Sequence, residues 1–74
     1  MRRARLLVTY EVLEQALRLY DIGIEAIAPQ TADEVGLRML SLIVSGDDLP
    51  KHLEGAPLRI VKLIDGRLDH LNGG

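Results

Sequence analysis

The chain has 74 residues, 47% of them hydrophobic, with eleven acidic residues, nine basic residues and no cysteine. This length predicts a single domain over residues 1–74, and the apolar content argues against disorder. The absence of cysteine excludes disulfides, thiolate metal sites and a cysteine nucleophile, and it fits a reducing compartment.

The apolar residues are almost all aliphatic. Phe and Trp are absent, and Tyr10 and Tyr20 are the only aromatic residues. Leu, Ile, Val, Ala and Met must therefore form the core, which buries less area per residue than an aromatic core would. A monomer of this size is then only marginally stable, so contact with a partner chain would help.

No targeting or membrane segment is predicted. The apolar stretch near the N-terminus is Leu6-Leu7-Val8, which is shorter than the roughly 7–15 apolar residues of a signal peptide. The other apolar runs are also too short to cross a bilayer. We expect a cytoplasmic protein that does not contact a membrane.

The first two predicted elements are a strand and a helix. Residues 3–10, RARLLVTY, alternate with the period of two that is typical of a strand. The next residues, EVLEQALRLY, place apolar side chains at helical spacing, and Thr9 is suited to cap this helix. Gly23 is expected to mark its end.

A short second strand is predicted in IGIEAIAP, residues 22–29, where Pro29 would stop it and the loop PQTADE would follow. The next stretch, TADEVGLRMLSLIVSGDD, admits two interpretations. Thr31 and Glu34 have the spacing of a helix capping box, whereas RMLSLIVSG is typical of a buried strand. The choice between a helix over residues 32–45 and a strand decides the fold.

We favour a strand over residues 37–45 that pairs with residues 24–28. Gly36 would disfavour the helix by about 1 kcal/mol. Only about seven residues separate the two apolar runs, a spacing that is typical of a hairpin. Apolar residues change sides within this strand, which predicts either a bulge near Met39–Leu40 or burial on both faces.

The last part of the chain is predicted to be a connection and a β-hairpin. In connection 47–57, Pro50 is suited to open a short helical turn. Asp65-Gly66 lies between two apolar runs and indicates a two-residue type I′ turn, which sets Lys62 opposite Asp69 as an ion pair. The fold class is therefore α+β, with the order β-α-β-β-(turn)-β-β, one helix on a mostly antiparallel sheet, and residues 72–74 as a frayed tail.

This fold has more apolar residues than one short helix can cover. Contiguous exposed apolar surface is typical of a protein interface. The alternative is that connection 47–57 folds back over the far face of the hairpin. The candidate protein interface comprises Ile60, Ile64 and Leu71 on that far face, and Val35, Leu37 and Met39 on one side of the third strand.

No catalytic, cofactor-binding or metal site is predicted. Zinc is usually held by about three or four converging ligands. The local candidate set is His52 with Asp47, Asp48 and Glu54, which all lie in one solvated connection. We interpret His70 as a surface residue, and no serine lies in a nucleophile elbow. A protein without enzymatic activity or cofactor is therefore expected.

Nucleic-acid binding has one argument in its favour, the basic cluster of Arg2, Arg3 and Arg5. The net charge of −2 and the scarcity of aromatic residues argue against it. Alternating arginines also protect an edge strand from aggregation. We do not expect a nucleic-acid partner.

Several turn motifs carry a resemblance. VSGDDLPKHLEGAPL followed by DGRL, after LLVTYEVLEQALRL and IEAIAP, resembles small uncharacterised proteins encoded by bacteriophages and prophages. The similarity spans most of the chain and consists mainly of turn residues. It implies an accessory phage gene product, and some such products resemble anti-defence factors, anti-CRISPR proteins among them.

Two function hypotheses follow from the exposed apolar surface and this resemblance. The first is a non-enzymatic phage accessory protein that binds and inhibits a bacterial host protein, in the cytoplasm of the host cell. The alternative is a structural or self-assembling phage protein, either a homodimer or a virion component.

Overall fold

The computed structural model describes residues 1–32 and 37–70. The described elements are β1 (Arg2–Val8), α1 (Tyr10–Leu19), β2 (Gly23–Ala32), β3 (Leu37–Gly46), a 3₁₀ turn (Lys51–Leu53), β4 (Gly55–Ile64) and β5 (Arg67–His70). The strands form one mixed sheet in the order β2-β3-β1-β4-β5, in which β1 and β4 are parallel and the other neighbours antiparallel. The predicted α+β class, with one helix in a single small domain, is confirmed.

Strand β1 lies in the middle of the sheet, between β3 and β4. Ala4, Leu6 and Val8 are buried, whereas Arg3 and Arg5 are exposed. The alternation predicted from the sequence is therefore present. The interpretation of the two arginines as protection for an edge strand is wrong for the folded chain, because β1 has a neighbour on each side.

The stretch that admitted two interpretations forms strand β3. It pairs antiparallel with β2, with Ile24 opposite Val44 and Ala28 opposite Ser41. The predicted pairing of residues 37–45 with residues 24–28 is confirmed. A continuous helix over Arg38–Val44 is excluded.

Strand β2 is longer than predicted because it continues through Pro29, which lies opposite Leu40. β2 is an edge strand, and an edge strand tolerates a residue that has no N–H to donate. The predicted stop at Pro29 is therefore wrong, as is the predicted loop over residues 29–32. Thr31 belongs to this strand, and Glu34 lies outside the described residues.

The predicted bulge near Met39–Leu40 is wrong. The register between β2 and β3 shifts between Ile24 and Ala26, and it is continuous at Met39 and Leu40. Burial on both faces of β3 instead explains why apolar residues change sides along it. Leu42 is buried on one face and Met39 on the other.

Helix α1 begins where the sequence predicts. The Thr9 hydroxyl accepts a hydrogen bond from the Val12 backbone N–H at 3.2 Å, which satisfies one of the unpaired donors at the N-terminus of the helix. The helix ends at Leu19, since Tyr20 already has an extended backbone. The predicted end at Gly23 is wrong, because Gly23 is the first residue of β2.

The core lies between α1 and the sheet. The helix packs on β1 and β4, and Leu49 and Leu53 of the connection join the same cluster. The connection therefore covers the helix side of the sheet and leaves Ile60 and Ile64 exposed on the far side. The buried members of this cluster are Ala4, Leu6, Val8, Leu13, Ala16, Leu42, Val44, Leu49, Leu53, Val61 and Leu68.

The terminal hairpin has the predicted register. Lys62 lies opposite Asp69 and Ile64 opposite Arg67. Asp65 and Gly66 both have positive φ, 52° and 74°, as a type I′ turn requires. The expected Lys62–Asp69 ion pair does not form among the described residues, because the Asp69 carboxylate contacts His52 instead.

We predict that Gly66→Val destabilises the protein by about 1–3 kcal/mol, because a β-branched residue is strained at positive φ. Gly66→Asn should cost less, since Asn adopts this conformation more readily. Urea unfolding of both variants measures the difference. Equal stability of the two variants would show that strain at this turn does not limit the hairpin.

A second glycine is required by a close approach of two segments. A Cβ atom added at Gly46 would lie 2.6 Å from the Asp21 carbonyl oxygen and 3.1 Å from an Ile22 methyl group. At Gly23 the nearest atom would be 3.8 Å away. The end of β3 thus packs against the segment that enters β2 without room for a side chain.

We predict that Gly46→Ala lowers the free energy of unfolding by about 1–3 kcal/mol through this steric clash. Gly23→Ala is the matched control and should change it by less than about 1 kcal/mol. Thermal and urea unfolding compare the two variants. The assigned packing would be contradicted if Gly46→Ala were as stable as Gly23→Ala.

Candidate binding surface and histidine cluster

Two of the predicted interface residues are exposed together on the far side of the sheet. Ile60 and Ile64 of β4 retain 40% and 47% of their accessible surface. They lie on the opposite side of β4 from the buried Val61. The structure thus places this pair on the face that α1 does not cover.

The other predicted interface residues are placed differently. Met39 is only 6% exposed, so little of its side chain is accessible to a partner in the isolated chain. Leu37 begins β3, but its side chain is not among those described. Val35 and Leu71 lie outside the described residues.

Basic side chains surround the two isoleucines. Lys62 lies between them on β4, and Arg67 lies opposite Ile64 on β5. Arg5 of β1 lies on the same face of the sheet. It is two residues before Leu7, and Leu7 lies opposite Ile60 of β4. We call Arg5, Ile60, Lys62, Ile64 and Arg67 the open face.

The cations of the open face have no ionic partner in the described part of the chain. Lys62, Arg67 and Arg5 are all exposed, and none takes part in the ion pairs between described residues. The neighbouring Arg3, in contrast, donates to the Glu25 carboxylate at 3.0 Å. The open face therefore combines apolar surface with three cations that form no ion pair with any described residue.

A second apolar strip lies on the helix side of edge strand β2. Ile24 and Ile27 lie opposite the core residues Val44 and Leu42, yet Ile27 remains 53% exposed because α1 packs over β1 and β4 instead. The residues directly opposite these two isoleucines on β3 are apolar.

A shallow cleft of about 580 Å³ lies near this strip. Tyr10 lines one part of it, and Pro29 and Leu40 of the neighbouring strands line another. Pro29 also weakens β2 as a template for edge-to-edge pairing with another chain. This region is therefore better suited to side-chain contact with another chain than to strand pairing with it.

The structure brings together a cluster that sequence reasoning missed. One nitrogen of His52, one nitrogen of His70 and one carboxylate oxygen of Asp69 all lie within 4.8 Å of one another. The His52 Nε2 to Asp69 Oδ1 distance is 3.3 Å, and the two imidazole centroids are 5.5 Å apart. Strand β4 separates His52 from Asp69 and His70 in the sequence, so no local spacing indicates the cluster.

The acids of the local candidate set around His52 contact other groups. The Asp47 carboxylate lies 3.7 Å from the N-terminal amine. Asp48 accepts a hydrogen bond from the Asp21 backbone N–H, and Glu54 pairs with Arg2 at 2.6 Å. Each of these acids has another partner, and His52 turns to the terminal strand instead.

Within residues 1–32 and 37–70, the hydroxyl side chains show no arrangement typical of a nucleophile. Ser41 and Ser45 are partly buried on β3, and neither hydrogen-bonds to a histidine in the part of the chain that the structure describes. Thr9 is used as a helix cap.

Comparison with protein-family models finds no match for this chain, and searches of curated proteins and of solved structures find no significant match either. Among the described residues, no helix is both long enough and apolar enough to span a bilayer.

Proposed function

We propose that this chain is a non-enzymatic, phage-encoded accessory protein that binds a bacterial host protein and inhibits it in the host cytoplasm. The observation that carries the proposal is the open face, where two exposed isoleucines lie among three cations that have no ionic partner among the described residues. The phage origin and the anti-defence role rest on the resemblance of the turn motifs.

The position of the open face supports binding of a protein. Apolar side chains that no element of their own chain covers favour contact with a partner, and a central apolar group with a polar rim is the usual arrangement of an interface. Ile60 and Ile64 would be the anchors, and Arg5, Lys62 and Arg67 would form the rim.

The charge of this face favours a different protein over a second copy. In a two-fold symmetric dimer the same patch meets itself, so three cations of one copy would meet three cations of the other. Like charges placed together across an interface oppose association. We therefore propose a partner that presents carboxylates around an apolar centre.

Self-assembly is the second candidate function, and the apolar strip on β2 favours it. Ile24 and Ile27 are exposed with apolar residues opposite them on β3, and Arg38 lines the neighbouring cleft. A symmetric contact through this strip therefore brings fewer like charges together than one through the open face. The structural or virion role would then use β2 rather than the open face.

We predict that Ile60→Glu and Ile64→Glu each abolish capture of the host protein from bacterial lysate. Burying an unpaired carboxylate costs on the order of several kcal/mol, enough to remove micromolar binding. Ile27→Glu is the matched control, because it makes the same change at an exposed isoleucine of the other strip. The lysate is treated with nuclease, and circular dichroism checks the fold of each variant.

The charge arm of the experiment uses Lys62→Glu and a salt series. Capture by the wild type should weaken as the salt concentration rises. At low salt, Lys62→Glu should capture less host protein than the wild type does. Capture that survives both open-face substitutions in folded protein would contradict the proposal. Sedimentation showing a dimer that Ile27→Glu alone disrupts would support the structural role instead.

A further inference from the structure

We propose that His52, Asp69 and His70 form a zinc site that joins the 3₁₀ turn to the terminal strand β5. Two imidazole nitrogens and a carboxylate oxygen are a ligand set that proteins use for Zn²⁺. The set is contributed by two separate segments, so a bound ion would cross-link them.

One of the three distances between ligand atoms already matches a tetrahedral zinc ion. With metal–ligand bonds of about 2.0–2.1 Å, neighbouring ligand atoms of a tetrahedral zinc stand roughly 3.3 Å apart. The His52 Nε2 to Asp69 Oδ1 distance is 3.3 Å. The third ligand atom lies within 4.8 Å of both, so a small side-chain movement would complete the triangle.

The hydrogen bonding of His70 gives a second, independent observation. Its Nδ1 atom is shielded from solvent and has no hydrogen-bond partner among the described residues. A buried polar atom without a partner is unfavourable, and folded proteins rarely keep one. Coordination of a metal ion through Nδ1 of this imidazole would turn the unpaired atom into a ligand.

The site has three protein ligands and would leave the fourth position of zinc to water. His52 is exposed, and Asp69 and His70 are partly buried, so an ion can reach the cluster from solvent. A site of this kind stabilises the folded chain, because the unfolded chain does not bring residue 52 to residues 69 and 70. Asp69 lies opposite Lys62 of the open face, but the zinc proposal does not depend on the proposed function.

The first experiment uses the wild-type chain without an affinity tag. Because the chain has only two histidines, the imidazole ¹⁵N resonances are unambiguous. Addition of one equivalent of ZnCl₂ should shift the resonances of both histidines and raise the melting temperature. MgCl₂ and CaCl₂ should do neither, because these hard cations prefer oxygen ligands.

The second experiment compares two matched acid-to-amide variants by calorimetric titration with ZnCl₂. Asp69→Asn should weaken zinc binding at least tenfold, whereas Asp47→Asn, in the neighbouring exposed loop, should leave it unchanged. His52→Ala and His70→Ala should each remove the rise in melting temperature. Circular dichroism without metal establishes that each variant is folded.

Three results would overturn the assignment. One is a wild-type chain whose two histidines do not both respond to zinc up to about tenfold molar excess. Another is a larger loss of zinc binding in Asp47→Asn than in Asp69→Asn, which would show that zinc binds in connection 47–57 instead. The third is zinc binding that persists in folded His70→Ala with unchanged affinity.

Discussion

The pairing of β1 on both of its sides is the constraint on which the rest of the fold depends. Its antiparallel register with β3 sets Leu6 opposite Leu42, and its parallel register with β4 sets Leu7 opposite Ile60. Because side chains alternate along a strand, a slip of one residue would turn arginines into the core and leucines into solvent. The burial of β1 thus fixes which residues of its neighbours face α1 and which face outward.

The distribution of covering elements explains where the exposed surface lies. One ten-residue helix and two leucines of a connection cover the middle of one side of a five-stranded sheet. The far side and the outer strand β2 have no such cover among the described residues, and the chain uses different means at the two places. Charged side chains surround the isoleucines of the far side, whereas a proline interrupts the hydrogen-bonding edge of β2.

Local features of the fold could be predicted from the sequence, and non-local ones could not. The Thr9 cap and the Asp65-Gly66 turn depend on residues a few positions apart, so their patterns are visible directly. The central position of β1 and the passage of β2 through Pro29 depend on strand order, which local patterns do not contain. For the same reason the open-face isoleucines could be found from alternation, whereas the meeting of His52 with β5 could not.

The parallel pairing of β1 with β4 also has a consequence for the order of folding during synthesis. Ala4 lies opposite Gly55 and Leu6 opposite Arg59, so roughly fifty residues must be made after β1 before this ladder can close. Until then β1 has an unpaired edge, which is a template for association with other nascent chains. Arg3 and Arg5 are exposed beside this edge, and charged side chains at such a position disfavour edge-to-edge pairing. Charges that the finished sheet does not need for protection therefore oppose association while β4 is still missing.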